Sequence, residues 1–186
     1  MKTLLKSFLA VSLLAIFITS CKKDKDDDQH EHDHEVIGTV NLKFTKVGTG
    51  EVKTFSWKDL DGDGGNAPVI QELELAENAV YNVSVELLDI EGHDLTHDIQ
   101  DHEADHHRFY YEVTVNGGAI TISDLDKDED GVTLGLKSKW TTTGHSEGTV
   151  KITLRHYQND NKAEADLVNS SKSATDAELI FPVHVH

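Results

Sequence analysis

The sequence predicts an all-β fold, an antiparallel sandwich of two sheets with one short helical insertion near residues 94–106. Two observations predict it. Apolar residues alternate with polar ones at period two through the body of the chain, the pattern of half-buried strands. Glycine-containing turn sequences separate those runs, as hairpin connections require.

Taken in order, Val40, Leu42 and Phe44 alternate with Asn41, Lys43 and Thr45, and Gly48-Thr49-Gly50 supplies the first turn. Tyr81, Val83, Val85 and Leu87 make a second run. From Arg108 to Gln158 the chain reads as a four-strand meander: Phe109 to Val115, Val132 to Trp140 and Val150 to Leu154 are its clearest strands, with turns predicted at Asn116-Gly117-Gly118, Asp130-Gly131 and Thr143-Gly144-His145. Leu179, Phe181, Val183 and Val185 form the last run. Eight or nine short strands at this spacing suggest an immunoglobulin-like sandwich without its disulfide. Two segments interrupt the pattern. Residues 94–106 carry helical spacing, with Leu95, Ile99, His102 and His106 on one side, and residues 159–175 form a polar connection with a short helix predicted around Ala163 to Val168.

Ahead of the domain, Lys2 and Lys6 precede the apolar run Phe8 to Ile18, and small residues lead to Cys21 in Ile18-Thr19-Ser20-Cys21. That order reads as a signal peptide, and Ile18-Thr19-Ser20-Cys21 resembles the lipobox of bacterial lipoproteins, which implies lipidation of Cys21. Residues 1–20 are read as the signal, 21–35 as a charged, His-rich tether and 36–186 as the sandwich domain. Lys22 to Asp28 holds no apolar residue to bury, so it is solvated. The chain has 17 basic and 34 acidic residues; without Lys2 and Lys6 the balance is 15 against 34, a charge of −19. Such a surface repels nucleic acid and attracts cations.

Twelve histidines concentrate in two places. His30, His32 and His34 alternate with acids in the tether, where imidazoles can converge on zinc, copper or nickel. His93, His97, His102, His106 and His107 fall in the predicted helical segment, where residues four apart project side by side. Zinc is the first expectation for these residues. His93-Asp94-Leu95-Thr96-His97 is not the zinc-protease motif, because Asp94 stands where that motif places its catalytic glutamate. Calcium is the second expectation: Asp59, Asp61, Asp63 with Gly64, and Asp126, Asp128, Asp130 with Gly131, each begin like a calcium loop. Both lack its closing glutamate, with Ile70 and Lys137 at the twelfth positions. His184 and His186 share one side of the last strand as a two-ligand candidate, His156 reads as a core-edge residue, and His145 as an ordinary turn residue. No nucleophile elbow or phosphate loop is present, and the expectation is a protein that is not an enzyme.

The lipobox at Cys21, the Asp59-Leu60-Asp61-Gly62-Asp63-Gly64-Gly65-Asn66-Ala67-Pro68 loop, the Asp98 to His107 segment before Phe109-Tyr110-Tyr111, and Gly148 to His156 together resemble a family of Bacteroidetes lipoproteins. The resemblance spans nearly the whole chain after Cys21. It implies a lipid-anchored β-sandwich at the outer membrane, on its surface or periplasmic face, and assigns no reaction. In that family the 94–107 segment is chiefly acidic, so its histidines point to metal binding particular to this chain, with an outer-membrane import receptor as the expected recipient.

Overall fold

The computed structural model describes residues 36–62, 64–158 and 161–186. The signal peptide, Cys21, the tether with His30, His32 and His34, and Asp63 lie outside the described residues.

The all-β expectation holds. Among the described residues, eight strands, β1 (Ile37–Lys46), β2 (Val52–Lys58), β3 (Val69–Ile70), β4 (Leu73–Leu75), β5 (Val80–Asp89), β6 (His107–Ser123), β7 (Lys137–His156) and β8 (Ala174–Val185), accompany one helix, α1 (Thr96–Asp101). Their pairing differs from the expected two antiparallel sheets. The strands join in one curled sheet of order β3-β2-β1-β5-β7-β8-β4, with β6 also on β7, and β4 runs parallel to β8.

The length of β7 explains this. One edge of β7 pairs with β6 from Lys139 to His156, interrupted at Gly144 and His145. Its other edge pairs first with β5, over Lys137 to Thr141, and then with β8, over Ser146 to His156. One strand edge cannot bond two partners at the same point, so the partner changes across Thr142 to His145. There Thr142 turns to a loop instead: its N–H donates to Ala79 O (2.9 Å) and its hydroxyl to Ala76 O (2.7 Å). The β6–β7 ribbon therefore belongs to both limbs of the sheet, and the limbs curl over one apolar core.

That core follows the alternation. Val40, Leu42 and Phe44 of β1, Leu73 and Leu75 of β4, Val83 and Leu87 of β5, Val150 and Ile152 of β7, and Phe181 and Val183 of β8 are all buried in one cluster. Trp140 is fully buried in it, edge-on to Phe44 at 5.1 Å and to Tyr111 at 6.1 Å between ring centroids. Its indole N–H is satisfied by Ser138 Oγ at 2.9 Å, as a buried indole requires.

The predicted four-strand meander is two long strands. Gly48-Thr49-Gly50 does turn β1 into β2, but Gly117-Gly118 and Gly144 lie inside β6 and β7, where Gly118 and Gly144 come close across an interruption of the ladder. They bend the ribbon at a register shift between Gly117 and Ala119, a β-bulge that increases local twist. A Cβ on Gly118 would stand 1.7 Å from Thr143 O. Gly118→Ala is therefore expected to lose at least about 3 kcal/mol in urea unfolding, against about 1–2 kcal/mol for Gly131→Ala, where φ is +78° but space is open. Equal, small losses at both positions would mean the ribbon bend yields freely.

Two other elements are shorter than expected. The helix predicted across residues 94–106 is confined to Thr96–Asp101, with Ile99 as its buried contact and Leu95 before it. The helix predicted around Ala163 to Val168 is a single turn, closed by Asp166 N–H on Ala163 O.

Candidate metal centre

The histidines of the 93–107 segment do not converge as one set. His93 precedes the helix, is exposed, and pairs with Asp89 at 2.8 Å. His97 is exposed on α1 and pairs with Asp101 at 3.2 Å; its ring lies 6.2 Å from that of His102, also exposed. The spacing of four loses its meaning because α1 ends at Asp101. His106 turns away from His102 and meets Tyr157 O through Nδ1 at 2.8 Å.

His107 alone of the five enters a buried cluster. It opens β6 and pairs in register with His156, the last residue of β7. Their rings stack at 4.3 Å, and they are 3% and 7% exposed. Asp176 completes the group. The β7–β8 register runs from Leu154 opposite Ala177 to Arg155 opposite Thr175, so Asp176 is the residue that the bulge leaves over. Bulges re-aim side chains in this way. Asp176 Oδ2 lies 3.3 Å from His107 Nε2 and 3.5 Å from His156 Nδ1.

Hydrogen bonding fixes the chemistry of this point. His107 Nδ1 faces Glu103 O at 3.1 Å, and a carbonyl only accepts, so Nδ1 carries the proton. In its neutral form the ring then directs the lone pair of Nε2 at a carboxylate oxygen. Two acceptors then face each other there, an arrangement that either a metal cation or a second ring proton relieves. An Nδ1–H donated to a carbonyl is also the usual support of a metal-bound histidine. Zinc bonds of about 2.0–2.1 Å in tetrahedral geometry put ligand atoms about 3.3–3.4 Å apart, close to the two distances found here. An octahedral ion with similar bonds needs about 3 Å between neighbouring ligands.

The aspartate loops are otherwise engaged. Asp59 accepts from Gly62 N–H (3.0 Å), and Asp61 Oδ2 accepts from Asn66 N–H (2.9 Å) and Asn66 Nδ2 (2.6 Å). The two Asn66 bonds, backbone first, hold the Asp61 carboxyl below its ordinary range. In the second loop Asp126 accepts from Lys137 N–H at 2.9 Å and Asp128 from Val132 N–H at 2.8 Å. Asp128 also pairs with Lys162 at 3.0 Å, while Asp130 is exposed beside Gly131.

Among the described residues, the groups of three ligand side chains within 4.8 Å of one another are His107, His156, Asp176 and a second, His145, Glu147, His184. Asp176, Glu147 and His145 carry no motif in the sequence, and His156 reads there only as a core edge. Their proximity comes from register across β7 and β8, which spacing along one strand does not encode. Comparison of the chain with protein-family models, with curated proteins and with solved structures finds no match.

Proposed function

We propose that this is a lipid-anchored, non-enzymatic protein that holds one divalent transition ion, zinc, at His107, His156 and Asp176. The observation that carries the reading is the convergence of two buried imidazoles on Asp176 Oδ2 at tetrahedral spacing. The anchor rests on the sequence up to Cys21 and on the resemblance to Bacteroidetes lipoproteins. A protein held at the outer membrane by its lipid hands an ion only to neighbours within reach, so the recipient in this reading is an import receptor in the same membrane.

Isothermal titration of zinc into the purified protein tests it. Binding tighter than about 10 μM, lost in Asp176→Asn and kept in His93→Ala/His97→Ala, is expected. Binding no tighter than about millimolar, or binding that Asp176→Asn leaves intact, overturns the assignment.

A second reading is an immunoglobulin-like interaction module with solvated or calcium-stiffened acidic loops. The Asp59 to Asn66 loop favours it, since the Asp61 carboxylate closes that loop on Asn66 by itself. This reading predicts no response to zinc.

A further inference from the structure

β7 and β8 carry a second set of ligand side chains toward the other end of their ladder. Alternation puts His145 and Glu147 on one face of β7, and His184 and His186 on one face at the end of β8. Glu147 stands opposite His184 and Ser146 opposite Val185; continued by one residue, the same register sets His145 beside His186. Ser146, Val183 and Val185, which alternate with these residues, are buried and fix the ribbon from beneath. His186 is further held by its backbone, which donates to Leu75 O (3.0 Å) and accepts from Glu77 N–H (3.1 Å). Glu147 Oε1 lies 3.9 Å from His145 Nε2 and 3.8 Å from His184 Nε2. The His184 ring is 5.2 Å from that of His145 and 4.9 Å from that of His186.

We propose that His145, Glu147 and His184, with His186 as a fourth ligand, form a separate, solvent-facing site for a divalent transition ion, tightest for Cu(II). Two imidazoles beside one carboxylate, with a third ring against His184, exceed what a cross-strand ion pair needs, and they are the donor set that copper, nickel and zinc share. Copper stands highest among these ions in affinity for nitrogen ligands. A four-coordinate ion with bonds of about 2.0 Å separates its ligand atoms by about 2.8–4 Å. The two carboxylate–imidazole distances, 3.8 and 3.9 Å, stand at the upper end of that range, and side-chain rotations at the surface are needed to close the site. The ribbon from Glu147 to His156 spans roughly 30 Å at the strand rise, so this site loads without reference to the buried one.

Cu(II) titrated into the full-length protein carrying His30→Ala, His32→Ala and His34→Ala tests the proposal, read by equilibrium dialysis and electron paramagnetic resonance. The expected result is one equivalent whose spectrum shows coupling to imidazole nitrogens. Adding His145→Ala/His184→Ala removes that spectrum and weakens binding by at least about 100-fold, with circular dichroism unchanged. Adding His97→Ala/His102→Ala, or Asp176→Asn, leaves it in place. A spectrum that survives His145→Ala/His184→Ala overturns the proposal. So does one lost in either control, which would assign the copper to α1 or to the buried centre.

Discussion

Zinc at a hundredfold excess over its dissociation constant is expected to stabilise the protein by about 2.7 kcal/mol, a rise of roughly 5–10 °C in melting temperature for a domain of this size. Asp176→Asn is expected to abolish that rise while leaving the metal-free protein as stable as before, or more so. The reason lies in the facing acceptors. With a neutral His107 and no metal, the carboxylate of Asp176 stands against the Nε2 lone pair, whereas an asparagine amide at the same place can donate to it. The competing account is a buried ion pair between a doubly protonated His107 and Asp176. That account predicts the reverse: no response to zinc in the parent protein, and a lower melting temperature in Asp176→Asn, because the charge on the ring loses its partner. Two melting curves per variant, with zinc and with chelator, separate the accounts.

The strands that the sequence makes plain are those whose two faces meet different surroundings. Val40, Leu42 and Phe44, or Leu179, Phe181 and Val183, are buried at every second position, and alternation reports that directly. Alternation does not report where a strand ends. Asn116-Gly117-Gly118 and Thr143-Gly144-His145 have the composition of hairpin turns, yet Gly117 faces Ser146 and Ala119 faces Thr143. Glycines brought close where a ladder is interrupted allow the approach that a bend requires, and local composition is the same for both uses. The parallel β4–β8 pair is still less visible, because it depends on β7 exchanging β5 for β8 along one edge.

The site was legible by residue type and not by position. Histidine-rich composition points to metal, and helical spacing directs attention to His93, His97, His102, His106 and His107, which the short α1 disperses. His107 reaches the cluster because it is the first residue of β6, and its partners come from the far ends of β7 and β8. Asp176 is placed by a bulge, which no pattern of polar residues in Ser173-Ala174-Thr175-Asp176 announces. Lys162 is hidden from sequence for a similar reason: in a polar connection rich in charge, nothing marks one lysine as buried.

Lys162→Met is expected to destabilise the protein by about 3–5 kcal/mol in urea unfolding, a large share of the 5–15 kcal/mol typical of a whole domain. The Lys162 side chain is 1% exposed and Asp128, its partner at 3.0 Å, is 4% exposed. Its other donors meet His107 O and Thr133 O, each at 2.9 Å, so three acceptors take the three protons of the ammonium. Burial pulls the Lys162 pKa down while Asp128 holds it up, which places the cost in desolvation and the compensation in the pair. Removing the lysine leaves the carboxylate buried without its cation and two carbonyls unmet. Lys162→Met/Asp128→Asn removes that charge and keeps an acceptor for Val132 N–H, so the double variant is expected to recover about 1–3 kcal/mol of the loss. A loss below about 1 kcal/mol for the single variant would mean that water replaces the ammonium. Because Lys162 grips the backbone of His107 itself, the single variant is also expected to bind zinc more weakly, although its side chain contributes no ligand. A zinc affinity unchanged in a variant this destabilised would show that the bulged Asp176 and the stacked rings hold their geometry without that grip.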